Sequence, residues 1–209
     1  FLRTNLLLHL VNCTLLFALL RQLGRALDPK NEQRNAASAL LAAGLWLLHP
    51  LFVSTTFYIV QREAMLPATF VLLGLLAYGK GRMRFIRSDG HRGLAWMVSG
   101  IVLGTAFAML CKGNGVLLPL LAWVIESTVF RHEAGFGDSI AAQKRMARTR
   151  FFLLILPSLG LFYYVLAHAA HWNAPLSKRP WTIAQRLLTE PRVLVDYLSL
   201  LVVPRSVST

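Results

Sequence analysis

Residues 94–130, LAWMVSGIVLGTAFAMLCKGNGVLLPLLAWVIESTVF, hold two apolar runs joined by a short polar turn. Residues 94–111 and 116–130 are each near the length at which a helix crosses a hydrocarbon layer of about 30 Å. Between them Lys112, Gly113, Asn114 and Gly115 form a glycine-bracketed turn. Outward from this hairpin, comparable runs occur at residues 5–20, 36–53, 66–79 and 151–170. Six such runs separated by short loops predict an all-α polytopic transmembrane helix bundle.

Composition points the same way. Hydrophobic residues make up 56% of the 209 and charged residues only 15%, with a positive mean hydropathy. A water-soluble core is the poorer account of such a chain. The net charge of +13 raises the question of nucleic acid, but the cations fall in every second loop. Arg21, Arg25, Lys30 and Arg34 follow the first run; Lys80, Arg82, Arg84, Arg87 and Arg92 follow the third; Arg131, Lys144, Arg145, Arg148 and Arg150 follow the fifth. Fourteen of the 22 basic residues therefore share one side, which the positive-inside rule makes cytoplasmic. No basic face interleaved with aromatic residues remains, so no nucleic-acid partner is expected.

This topology divides the chain into a bundle over residues 1–170 and an extracytoplasmic loop and helix over 171–209. Trp172 and Trp181, among Pro175, Lys178, Arg179 and Pro180, read as an interfacial loop. The run 192–203 after Pro191 is too short to span, and Arg192 and Asp196 stand four residues apart in it. It reads as an interfacial helix that Pro204 stops, with Arg205 just beyond. The chain opens on Phe1 with no cleavable leader before the first run, so it is expected to be a piece of a longer protein.

Chemistry is then sought where polar groups are expensive, on the side opposite the basic loops. Asn5, His9 and Asn12 stand at spacings of four and three, on one helical face. Such a stripe in lipid must face protein or water; hydrogen bonding between helices is the simpler reading, contact with a ligand the sharper one. In the turn between the second and third runs Arg62 and Glu63 lie at the mouth of a span. They read either as a snorkelling ion pair or, for Arg62 beside Tyr58, as a holder of lipid phosphate, since a guanidinium fork matches phosphate oxygens. In the third cluster Lys112 adds a point charge to a turn whose backbone N–H groups are accessible, with Asn114 two residues on; it reads equally as a plain hairpin with a snorkelling Lys or as a contact for phosphate or substrate. It lacks the spacing of a P-loop.

Other residues read blandly. Cys13 and Cys111 show no metal-ligand spacing and are expected as small buried residues without a disulfide. The sequon Asn12, Cys13, Thr14 lies inside an apolar run, out of reach of glycosylation. His168 and His171 are too few for a metal site. Glu126, near the inner end of the fifth run, is expected to pair with a loop cation such as Arg131.

Four strings in order, LLLHLVN (6–12), HPLFVSTTFYIVQREAMLPATFVLLGLLAYGKGR (49–82), KGNGVLLPLL (112–121) and LTEPRVLVDYLSLLVVPRSVS (188–208), resemble the membrane part of GT-C class glycosyltransferases. The likeness is to bacterial relatives of the tetratricopeptide-linked protein O-mannosyltransferases, some of which modify pilins. It implies an inner-membrane enzyme that moves a sugar from a polyprenyl-phosphate carrier to an acceptor, a protein Ser or Thr, on the non-cytoplasmic face. Arg62 and Glu63 correspond to the Arg and acidic residue of a family turn, and Lys112 to the Lys of another. Where relatives carry Glu after that Lys, this chain has Gly113. The family's acceptor-activating carboxylates lie upstream of the span that begins this chain.

Transfer from a phosphate-linked sugar needs a base for the acceptor hydroxyl and cations for the departing phosphate. Arg62, Lys112 and Arg205 are the expected cations, with Tyr58 and Asn114 beside them. Glu63 is expected to orient rather than to act as base, because Arg62 next door keeps it ionised and paired. A divalent metal is the one cofactor left open. Two other classes compete with the enzyme. A flippase of lipid-linked sugars needs a polar path through the bundle, and the inner halves of the runs look nearly free of polar groups. A non-catalytic subunit beside a catalytic partner needs only the bundle.

Overall fold

The computed structural model describes residues 2–50, 57, 62–87, 90–131, 140–169 and 183–202. Within them the chain is helical: α1 (Leu2–Leu27), α2 (Glu32–Leu48), α3 (Arg62–Arg87), α4 (Gly90–Cys111), a 3₁₀ turn (Gly113–Leu117), α5 (Leu118–Thr128), α6 (Ile140–Arg150), a π turn (Phe151–Ile155), α7 (Leu156–Ala169) and α8 (Ile183–Val202). No strand occurs among the described residues.

Among the described residues, four stretches are long and apolar enough to cross a membrane: Leu2–Leu27, Arg62–Ile86, Gly90–Cys111 and Ile140–Ala167. The expectation of six is thus corrected to four, the second and fifth runs falling short. α2 has 17 described residues and stops at His49, whose ψ of 126° is extended. Pro50 follows, and a residue before proline is driven out of the helical region by the ring. α5 has only 11 residues, because the start of its apolar run is wound into the tighter 3₁₀ turn before Pro119. At 1.5 Å per residue such a helix covers only about 16 Å. α3, conversely, continues well past the last apolar stretch, through Lys80 to Arg87. Helical hydrogen bonding does not need apolar side chains, and long cations reach the interface from inside the helix.

α1 packs against α2 and α3, and α3 makes its most extensive contact with α4. That last contact is built on small residues, as close backbone approach between membrane helices requires. A Cβ on Gly74 would stand 2.8 Å from the Gly100 carbonyl oxygen, and one on Gly81 would meet the Gly93 carbonyl oxygen at 2.5 Å. The two pairs lie seven residues apart on each helix, so one seam runs along both. Leu19, Leu75, Met97, Ile101, Leu118, Ala122 and Leu154 form the apolar core beside it. Outward-facing Leu41, Leu45, Leu48, Leu110 and Phe162 are strongly exposed. An apolar surface of that extent suits hydrocarbon and not water; the chain is an integral membrane protein.

At one end α1 turns into α2 through Asp28, which accepts from Asn31 Nδ2 (2.6 Å) and from the Lys30 backbone N–H (3.2 Å). These bonds hold the Asp28 carboxyl below its ordinary pKa, Asn31 contributing most. Glu32 opens α2 and receives Arg25 and Arg21. A helix is present where one was expected after Pro191, as α8, but it begins upstream at Ile183 and carries Pro191 within it. Its side chains over 191–199 are exposed, and no ion pair joins Arg192 to Asp196 among the described contacts.

Candidate functional site

Each residue of the polar stripe on α1 reaches a neighbouring helix. Asn5, fully buried, accepts from Arg62 Nε through Oδ1 at 2.7 Å. His9 lies 3.2 Å through Nε2 from the Leu47 carbonyl and packs on the Trp46 ring, with centroids 4.7 Å apart. Asn12 Nδ2 donates to the Met65 carbonyl (3.0 Å), and Thr69 Oγ1 donates back to Asn12 Oδ1 (2.7 Å). The stripe therefore binds α1 to α2 through His9 and to α3 through Asn5 and Asn12. Thr69 was not legible as a member, although Met65 and Thr69 stand one turn apart on the facing helix. Cys13 and Cys111 are free thiols, and Cys13 Sγ lies 3.4 Å from the Ala43 carbonyl.

At the start of α3 the Arg62 guanidinium is thus turned toward Asn5 on α1. The Glu63 carboxylate meets Lys112 instead, with Nζ 3.2 Å from Oε1. The expectation that Glu63 pairs with its neighbour Arg62 is corrected accordingly: successive residues on a helix point about 100° apart, so adjacent charges do not face each other. Two turns far apart in sequence are brought together by this pair. It is open to solvent or lipid headgroups, with the side chains 40% and 56% exposed.

The turn carrying Lys112 is shaped by packing. Lys112 is extended (φ −160°, ψ 143°), and the Gly115 N–H returns to its carbonyl at 3.0 Å. Gly115 is buried against the last turn of α4, where a Cβ would stand 2.5 Å from the Met109 nitrogen. Gly113 has open space around it, and Asn114 is exposed beside it. The arrangement gathers two cations, an accessible carboxylate and an amide at one end of the bundle. Such a set can bind a phosphate and leave it partly neutralised. Tyr58 and Arg205 lie outside the described residues, as do Trp172 and Trp181.

The opposite end holds a cluster that sequence reasoning missed. Glu126 on α5 does not pair with Arg131. Its carboxylate receives the Tyr78 hydroxyl on Oε2 (2.9 Å), Arg82 Nε on Oε1 (2.9 Å) and Oε2 (3.3 Å), and Arg150. Arg82 is fully buried and Glu126 only 5% exposed, and the Phe130 ring lies 5.4 Å from the Arg82 guanidinium carbon. The expectation of inner halves nearly free of polar groups is corrected by this network. By hydropathy Arg82 reads as a loop residue, because the apolar run ends at Gly79. Its spacing from Leu75, Tyr78 and Phe85, all buried, was the available signal that it shares their inward face.

Leu75, Met97, Ile101 and Leu118 lie between these two polar ends and are buried. Among the described residues no three His, Cys, Asp or Glu side chains come together as a metal site.

Comparison with known proteins finds partial relatives. The chain is 37% identical over 79 residues, 38% of its length, to the human protein O-mannosyl-transferase TMTC4. It is 32% identical over 110 residues, 52% of its length, to the mouse protein of the same name. The matched stretches span 10% and 14% of those relatives. No family model matches the chain, and no solved structure matches it.

Proposed function

We propose that this chain forms part of an integral membrane glycosyltransferase that moves a sugar from a polyprenyl-phosphate-linked donor to a protein Ser or Thr hydroxyl on the face opposite the basic loops. The observation that carries the reading is the meeting of Arg62, Glu63 and Lys112 at one end of the bundle, on the two turns that resemble the family's. The names of the mammalian relatives support an acceptor that is a protein. A bacterial cytoplasmic membrane is the proposed setting, on the likeness of the quoted strings.

In the proposed step the acceptor oxygen attacks the anomeric carbon, and the bond from that carbon to the phosphate oxygen breaks. The electron pair stays on the phosphate, where Arg62 and Lys112 stabilise the added charge. The hydroxyl proton passes to a carboxylate of the complete protein. Glu63 orients Lys112, which holds it 3.2 Å away. A lipid-linked sugar flippase gains one observation, the polarity at Glu126, but that carboxylate is closed by three donors and separated from Lys112 by the apolar core.

The test is native mass spectrometry of the full-length protein with added polyprenyl phosphate. Arg62→Ala and Lys112→Ala are each expected to weaken binding about tenfold or more, since a charge-assisted hydrogen bond contributes about 1.5–3 kcal/mol. Unchanged binding in both folded variants would remove the assignment.

A further inference from the structure

A groove of about 900 Å³ lies at the basic end of the bundle, far from Arg62 and Lys112. One wall is apolar, made by Leu73, Leu76 and Ala77 of α3 with Met83 nearly two turns further on, and by the Trp96 ring of α4. The rim is cationic, with Arg25, Lys80 and Arg84. Glu32 is the one carboxylate in the lining, and Arg21 and Arg25 engage it. Lys80 and Arg84 are left, and among the described residues no carboxylate forms an ion pair with either of them. Both are instead held against one ring: Lys80 Nζ lies 4.6 Å and the Arg84 guanidinium carbon 5.8 Å from the Trp96 centroid.

We infer that this groove binds an anionic phospholipid, its phosphate between Lys80 and Arg84 and its upper acyl chain along Leu73, Leu76 and Ala77. The arrangement separates charge along the groove as such a lipid does. Two like charges on one indole repel each other, and an anion between them removes that repulsion. The Arg84 fork suits two phosphate oxygens, while Lys80 supplies a point charge. Trp96, 38% exposed, sits where aromatic rings prefer the boundary between headgroups and hydrocarbon. The bound phosphate would face the leaflet in which anionic lipid is concentrated, given that the basic loops lie on the cytoplasmic side. The site is independent of sugar transfer, since none of its residues belongs to the Arg62 and Lys112 cluster.

Fluorescence reads the site directly. The protein is placed in phosphatidylcholine nanodiscs containing chain-brominated phosphatidylglycerol, or chain-brominated phosphatidylcholine, at matched mole fractions. The Trp96 contribution is the difference between the protein and Trp96→Phe. Brominated phosphatidylglycerol is expected to quench Trp96 with about a 30-fold preference, about fivefold for each cation at the surface. The preference should fall to near unity in Lys80→Gln/Arg84→Gln and by about fivefold in either single variant; both side chains are exposed, so these variants are expected to fold, which thermal unfolding checks. Equal quenching by the two lipids overturns the inference, as does a preference that survives in the folded double variant.

Discussion

The two ends of this bundle use the same chemistry, guanidinium or ammonium with carboxylate, to opposite effect. At one end Lys112 and Glu63 meet in the open, with more than a third of each side chain exposed. At the other, Glu126 joins Arg82 and Arg150 with Arg82 fully buried and a tyrosine hydroxyl completing the set. Removal from solvent is what separates them. A buried carboxylate with three donors has its capacity filled and serves to join α3, α5 and the end of α6. An exposed pair keeps lone pairs and protons for another partner, and its own energy is about 0–1 kcal/mol.

The sharpest way to break this contrast is Glu126→Leu. Removing the shared carboxylate takes the charge partner from the fully buried Arg82 guanidinium and from Arg150 beside it, at a cost of about 3–5 kcal/mol. Thermal unfolding in mild detergent should show this as the largest loss among the charged positions, well beyond that of Glu63→Gln. Equal effects of the two variants would show that burial does not distinguish the ends.

A middle-sized effect is expected at Asn12→Leu on the polar stripe. The variant loses the bond to the Met65 carbonyl and the one from Thr69, and hydrogen bonds between membrane helices average about 0.6 kcal/mol each. A loss of about 1 kcal/mol, measured by the same unfolding, would mark the stripe as helix-joining. No loss of stability together with lost donor binding would move Asn12 to the binding site.

The smallest effect concerns Glu32, half-buried at the basic end. Hydrogen bonds from Arg25 and then Arg21 lower its pKa from 4.5 to about 2. A carboxyl depressed in the folded state contributes stability above its unfolded pKa, and that contribution fades as pH falls from about 4.5 toward 2. The melting temperature of Glu32→Gln should approach that of the unsubstituted protein over this window. A constant gap between them would remove the assignment.

Much of this organisation was legible in the chain. Apolar runs marked the helices, and the spacing of Asn5, His9 and Asn12 marked a face that had to meet protein. Legibility failed where a partner is remote. Glu126 bonds to residues 44 and 48 positions earlier, and no local pattern ties it to Arg82 rather than Arg131. The end of an apolar run also misplaced Arg82, since hydropathy reports the solvent around a side chain while helix length follows backbone hydrogen bonds. Pro50 and the 3₁₀ turn before Pro119 shortened two runs that hydropathy counted as spans.

Sequence alone determined that this is an all-helical membrane bundle with its cations crowded at one end. Both follow from transfer energies, which add residue by residue along the chain. Tertiary structure alone decided which charges are partners. It turned Arg62 to Asn5, Glu63 to Lys112, and Glu126 to Tyr78, Arg82 and Arg150. The physical reason is range: a charge costs most where water is excluded, and which positions lose their water depends on the close packing of α3 against α4 and of α5 against both.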